Sequence, residues 1–506
     1  MMKIQGFSPS PENVSSLNQI TSRLAAQDAT LWGPDAQAEA EIRLNWINLP
    51  NASRDLLPVL DALSAWSREL GHKEFVLCGM GGSSLAPEVI AAVHNKSLTV
   101  LDSTDPHHVS AVLSRDLSTT CFVIGSKSGS TIETASQKLA VEAELEKQGL
   151  EIRNHLVVVT DPDSPLDIQA KAAGLRVVNA DPNVGGRFSA LSAFGLTPAA
   201  LIGVDVSVLL DDAADAAQSF TASDSSAVIV AASLVESSMR YVGFCDRDSK
   251  VPGLSEWIEQ LIAESTGKEQ RGILPVVVED WKDASYPVIT FDGSSALNVE
   301  GNLGAHFIFW EWVTALACYL LKVDPFNQPN VTEAKEKTGA LLERWKDSGV
   351  VAPKPSFETE NIQVFSDLPG SSISEFLRHS YENRPGYIAL MAYLHRGVDD
   401  SITQLRSLME KASDTPTTFG WGPRFLHSTG QFHKGGPRVG SFIQITGVTE
   451  KVWPIKNKNY GFETLVMAQA LGDNEALAAR GYPLIRFHLK NRAAGIQELL
   501  DAAQSL

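Results

Sequence analysis

The 506-residue chain carries 42 Lys and Arg against 60 Asp and Glu, a formal charge of −18, and 43% of its residues are apolar. Such a composition excludes a disordered or fibrous chain, and at about 150 residues per domain the length predicts two or three units. The acidic field disfavours DNA, RNA and anionic lipid, so an anionic substrate would need local donors: backbone N–H groups, hydroxyls and individual Arg or Lys.

The start, MMKIQGFSPSPENV, lacks a basic stretch followed by an apolar core of about 7–15 residues, and no apolar run approaches the roughly 18 residues that span a bilayer. The expectation is a cytoplasmic protein. Cys78, Cys121, Cys245 and Cys318 are far apart, with no C-x-x-C and no zinc-ligand spacing, which predicts reduced, mostly buried thiols and no metal.

Between about Glu74 and Gly203, short apolar runs alternate with segments of helical period. Phe75–Cys78, Leu98–Leu101, Cys121–Ile124, Leu156–Val159 and Arg176–Val178 read as five strands of a doubly wound parallel sheet, buried on both faces by crossover helices. Gln218–Ala227 is small and polar, a linker or the start of a helix near a lobe boundary. Beyond it the pattern continues less cleanly with Pro275–Val278, Val288–Phe291, a long apolar helix from Leu303 to Lys322, Gly386–Leu394 and Phe442–Thr446, read as a second α/β lobe. Gly349–Glu360 reads as a connector and Asp414–Pro423 as a hinge or functional loop. The tail from Glu463 ends in amphipathic helix.

Several inter-element segments have the residue types of a ligand site. Gly79-Met80-Gly81-Gly82-Ser83-Ser84 follows a strand and precedes a helix, where backbone N–H groups and the helix dipole favour an anion. A dinucleotide site, a plain tight turn and a sugar or phosphate contact are open readings. Asp102 lies about 20 residues on, as a dinucleotide fingerprint requires, but Ser84 stands where its third glycine belongs. Gly125-Ser126-Lys127-Ser128-Gly129-Ser130-Thr131 offers four hydroxyls at another helix start. It is not a Walker loop; a phosphate monoester fits it, and so does a Ser-rich N-cap. In Gly185-Gly186-Arg187-Phe188-Ser189 the arginine is either an oxyanion ligand or a surface residue. Glu264, in Glu264-Ser265-Thr266-Gly267-Lys268 at the end of helix Leu254–Ala263, suits a general base or is a solvated helix-end glutamate. Asn327-Gln328-Pro329-Asn330 is followed by Lys335. His427, in Leu426-His427-Ser428-Thr429-Gly430-Gln431, lies in a Gly- and Pro-rich loop that favours a reactive role, with His433 as a neighbouring competitor. His306, on the apolar helix, reads as structural.

Together these segments resemble phosphoglucose isomerase, over roughly residues 40 to 450. GMGGSSLAP is similar to that family's first sugar loop, SKSGSTIET to its phosphate loop, GGRFSALSAFGL to its arginine segment, ESTGK to its glutamate segment, NQPNVTEAK to its lysine helix and LHSTGQ to its bacterial histidine segment. The motif order differs: LHSTGQ comes about 90 residues after Lys335, whereas in the common bacterial pattern it precedes the lysine helix. This order resembles the isomerase part of bacterial transaldolase–isomerase fusions.

The resemblance implies an α/β fold of two doubly wound sugar-isomerase (SIS) domains, over 45–215 and 216–506, behind an N-terminal helical segment 1–44. It implies interconversion of D-glucose 6-phosphate and D-fructose 6-phosphate, with no cofactor or metal, in a homodimer. By the same resemblance Ser126, Ser128, Thr131 and the Lys127 backbone would hold phosphate, and Gly82, Ser83 and Gln328 the sugar. His427 and Lys335 would assist ring opening, Glu264 would carry a proton between C2 and C1, and Arg187 would stabilise the enediolate. The alternatives are a glucose/mannose 6-phosphate isomerase of broader specificity and a non-catalytic phosphosugar-binding regulator.

Overall fold

Glu74–Gly79, Thr99–Leu101, Thr120–Gly125, Leu156–Thr160 and Arg176–Asn179 form a five-stranded parallel sheet. The structure, a computed structural model, describes residues 2–346 and 353–506. The strands have continuous apolar centres because crossover helices cover both faces; Leu77, Cys78, Val123, Ile124, Val157 and Val158 are all buried. Thr99–Leu101 lies on one side of Glu74–Gly79 and Thr120–Gly125 on the other. The chain therefore changes direction across the sheet at Gly79 and Gly125, which are register partners. Ligand crevices of doubly wound sheets open at this kind of point, outside the carboxyl ends of the strands.

A second sheet takes Tyr241–Cys245, Leu274–Val277, Val288–Thr290 and Leu297–Glu300 in parallel and adds Lys3–Gln5 antiparallel at one edge. The N-terminal segment, expected as helix alone, thus also supplies an edge strand. A third sheet carries Tyr387–Tyr393, Thr417–Trp421, Gly440–Gly447 and Leu484–Leu489 in parallel, then Ile362–Phe365 and Phe357–Glu358 antiparallel. The span 216–506 therefore contains most of the second sheet as well as the third.

Helix Leu303–Leu321 is the centre of the largest apolar cluster, where Phe307, Trp310 and Leu316 are fully buried. It corrects the expectation that no segment reaches spanning length: the helix is long and apolar enough to cross a membrane, but 89% of that window is buried inside the protein.

Other sequence expectations are met or changed locally. The four cysteines are buried and unpaired. Gln218–Ala227 is a short turn that joins helix Val206–Ala217 to helix Ser226–Leu234, with Ser225 capping the second through the Val228 N–H. Asp414–Pro423 is not a loop but contains the edge strand Thr417–Trp421, paired with Ile388–Ala392, because β-branched and aromatic residues fill the stretch between Pro416 and Pro423. Gly349–Glu360 lies partly outside the described residues.

Candidate active site

The loops after Gly79 and Gly125 open on a cavity of about 370 Å³. Gly81, Gly82, Ser83, Ser126, Lys127, Ser128, Thr131, Arg187, Glu264, Gln328 and His427 all line it. Only Lys335, among the residues singled out as catalytic or substrate-binding, does not. It is exposed and lines an adjoining cavity of about 230 Å³, and His427 borders both cavities.

Backbone proximity explains the glycines. Gly81 has a φ of +54°, and a Cβ there would meet the Gln260 amide at 2.7 Å and the His427 carbonyl at 2.8 Å; one on Gly82 would stand 2.0 Å from the Gly186 carbonyl oxygen. The first loop is thus pressed between the segments that carry Arg187 and His427, and only residues without a side chain fit.

The Ser-rich loop ends in the 16-residue helix Ile132–Lys147, whose N-cap is Thr131. Ser126 is buried at its base, Ser128 is exposed, and the Ser128 and Ser130 hydroxyls are 2.7 Å apart. Hydroxyls and a helix N-terminus together are a neutral host for an anion. The Lys127 ammonium is engaged elsewhere, on Asp161 Oδ2 at 2.7 Å and the Pro182 carbonyl at 2.9 Å. Burial lowers its pKa even with that partner.

Arg187 is 4% exposed and uses every donor it has. Nε donates to Ser265 Oγ at 2.9 Å, one terminal nitrogen donates to Gln328 Oε1 at 3.0 Å and pairs with Glu264 Oε1 at 3.0 Å, and the other donates to the carbonyls of Pro325 at 2.6 Å and Asn327 at 2.9 Å. Five N–H groups meet five acceptors. Glu264 is not solvated at a helix end: helix Leu254–Thr266 continues past it to its cap Gly267, and the residue is 8% exposed. Its second oxygen accepts from Gln260 Nε2 at 3.2 Å, and the same amide donates to the His427 carbonyl at 2.7 Å.

His427 Nε2 lies 2.9 Å from Glu133 Oε1. Glu133 is buried in the first turn after the Ser-rich loop. Burial raises its pKa, but the neighbouring His427, its own backbone N–H and Lys335 outweigh that and hold it below the ordinary carboxylate value. His433 is a core residue: it stacks on Tyr387, its Nδ1 lies 3.1 Å from the Tyr387 hydroxyl, and burial pushes its pKa down to about 3. His306 is likewise buried, at about 3. Gln431 joins three of the motifs: its amide nitrogen donates to the carbonyls of Gly267 at 2.9 Å and of the Asn330 side chain at 2.8 Å, and its oxygen accepts from the Asn330 N–H at 3.0 Å. Asp102 pairs with Arg424 at 3.0 Å, so it is not disposed toward a ribose.

Residues 64–271 match the family model for phosphoglucose isomerase. Over this span the chain resembles phosphoglucose isomerase. It is 35% identical over 240 residues to a glucose-6-phosphate isomerase from Thermus thermophilus, covering 45% of this chain and 56% of that one. It is 34% identical over 236 residues to a probable glucose-6-phosphate isomerase from Haloarcula marismortui, covering 44% and 54%. The chain spans about half the length of these curated relatives. The crystal structure of a glucose-6-phosphate isomerase from Chlamydia trachomatis, 17% identical, superimposes with a TM-score of 0.54 over 66% of this chain and 84% of that one. The fold is thus mixed α/β, with mostly parallel sheets flanked by helices, similar to that of the Chlamydia trachomatis structure.

Sequence reasoning did not single out Gln260, Arg43 or Asp161, which also line the cavity, or assign a role to Glu133. Gln260 was legible in principle, because a residue four before Glu264 shares its helix face. The others are brought in by tertiary contacts that no local spacing encodes.

Proposed function

We propose that the protein interconverts D-glucose 6-phosphate and D-fructose 6-phosphate as an aldose–ketose isomerase. One observation carries this reading: the Glu264 carboxylate, the Arg187 fork, the His427 ring and the Ser-rich loop border one cavity of about 370 Å³, a size suited to one hexose phosphate. The relatives named glucose-6-phosphate isomerase support the same reading.

In this account the hydroxyls of Ser126, Ser128 and Thr131 and the N–H groups at the helix start hold the phosphate, and Gly82, Ser83 and Gln328 face the sugar. Ring opening moves the O1 proton to O5 and leaves an aldehyde at C1, assisted by His427, with Lys335 beside it across the adjoining cavity. Glu264 then takes the C2 proton. The electrons of that C–H bond form the C1–C2 double bond, and negative charge appears on O1. A proton passes from O2 to O1, and Glu264 returns its proton to C1, leaving the ketone at C2.

Arg187 faces the same cavity charge throughout, first on the carboxylate and then on the enediolate, because Glu264 becomes neutral as the substrate becomes negative. A preorganised cation needs no rearrangement in that exchange.

Incubation of the wild type with fructose 6-phosphate in D₂O tests the reading. The expected product is glucose 6-phosphate with deuterium at C2; protein that neither converts nor exchanges the substrate would overturn it.

A further inference from the structure

Behind His427 a chain of buried side chains leaves the 370 Å³ cavity and runs along the wall of the adjoining one, which Glu133 and Gln469 line. Glu133 Oε1, which faces His427 Nε2 at 2.9 Å, also accepts from Gln469 Nε2 at 2.7 Å, and Gln469 Oε1 accepts from the Thr104 hydroxyl at 2.5 Å. Thr104 follows the strand Thr99–Leu101, Glu133 opens the helix after the Ser-rich loop, and Gln469 lies on helix Phe462–Ala478. Thr104, Glu133 and Gln469 are each at most 3% exposed. One turn beyond Gln469, Asp473 forms a buried ion pair with Lys434 at 2.6 Å, which fastens this helix to the segment following His427.

The order of donors is fixed by chemistry. The ionised Glu133 Oε1 can only accept, so the Gln469 amide nitrogen faces it, and the amide oxygen is left to accept from the Thr104 hydroxyl. An ionised carboxylate has only lone pairs to offer, so the hydrogen between it and the ring resides on His427 Nε2. Nδ1 is then the nitrogen that carries the lone pair in the neutral ring. Without the amide, Glu133 would lose the partner that orients it, and both its rotamer and the ring tautomer would be released.

We infer that Gln469, held by Thr104, is a positioning residue that acts through Glu133 to fix His427 in the Nε2–H tautomer. Its kinetic consequence rests on the isomerase reading; the tautomer itself does not.

The experiment uses the full chain and two measurements. Nitrogen-15 NMR of the ring, without substrate, should show the Nε2–H form of His427 in wild type and a mixture of tautomers in Gln469→Met and Thr104→Val, with Thr104→Ser restoring the wild-type pattern. With fructose 6-phosphate, kcat should fall about tenfold in Gln469→Met, which removes a hydrogen bond to the charged Glu133, and about fivefold in Thr104→Val, which removes one to the neutral Gln469 amide, while KM changes less than twofold. Thr104→Ser should recover kcat. If Gln469→Met fails to fold, the two Thr104 variants carry the test. Unchanged ring signals in the Thr104→Val variant overturn the inference whatever the activity. An inactive wild type with the expected ring signals overturns the isomerase reading and leaves the tautomer assignment supported.

Discussion

Arg187 and Glu264 form an ion pair at 3.0 Å in a nearly closed part of the site, with side chains 3% and 11% exposed. Taking two charges out of water is costly unless their remaining donors and acceptors are also met. Here they are: the guanidinium reaches four further acceptors, and the carboxylate has the Gln260 amide. Lys268, in the same motif as Glu264, is also buried, and burial and the nearby Arg187 push its pKa down to about 7. The ammonium donates to the Asp324 carbonyl, next to the Pro325 and Asn327 carbonyls that accept from Arg187.

Arg187→Lys keeps the charge but loses the fork. A lysine has three donors for five acceptors, so fructose 6-phosphate turnover should fall about 100-fold and stability by about 2 kcal/mol. Steady-state kinetics and urea unfolding check both; activity within twofold of wild type would show that the fork is not needed.

His427→Ala should separate ring opening from isomerisation. On fructose 6-phosphate the loss should be about 100-fold, the range of one acid–base group. On a four-carbon aldose phosphate, which has no ring to open, the loss should be far smaller. Equal losses on both substrates would remove His427 from the ring-opening step.

Gly82→Ala tests the pressed first loop. A Cβ 2.0 Å from the Gly186 carbonyl oxygen forces one backbone segment away from the other, at a cost of about 2 kcal/mol, and moves the Arg187 segment with it. Lower melting temperature and lower kcat are expected together. An unchanged melting temperature would mean that the two loops are not in contact in solution.

Acid should destabilise the fold well before the carboxylates titrate. His433 and His306 are neutral in the folded chain, with pKa values depressed to about 3, while the unfolded value is about 6.5. Between those values the unfolded state binds more protons, so stability falls as pH falls, by up to about 1.4 kcal/mol per pH unit for each histidine. His433→Gln should flatten the stability profile between about pH 3 and 6.5. Chemical denaturation across that range measures the slope; a variant as steep as wild type would contradict the buried neutral state of His433.

The first sheet is legible from sequence because its strands have continuous apolar centres closed by small or polar residues, the pattern of parallel strands buried on both faces. The third sheet is harder to read: its edge strand Thr417–Trp421 is short and bounded by prolines, and its interior strands Ile362–Phe365 and Leu484–Leu489 are broken by Gln363, Arg486 and His488, so neither shows a continuous apolar run. At the site, loop motifs carried their own signal: glycines for close backbone approach, hydroxyls at a helix start, a glutamate near a helix break. Glu133 and Gln469 gave none, because their roles come from side chains 294 and 336 residues apart in the chain that meet only when the sheets pack. The helix that the sequence predicts over Leu254–Ala263 runs on through Glu264 to Thr266 and is closed by Gly267, whose N–H donates to the Ala263 carbonyl.

The central claim is that Glu264 moves the proton between C2 and C1. The most direct measurement is a coupled assay of glucose 6-phosphate formation from fructose 6-phosphate, on wild type and on Glu264→Gln with folding verified by circular dichroism. An active wild type and a variant reduced by at least about 1,000-fold are predicted. A Glu264→Gln variant that retains wild-type turnover would contradict the assignment.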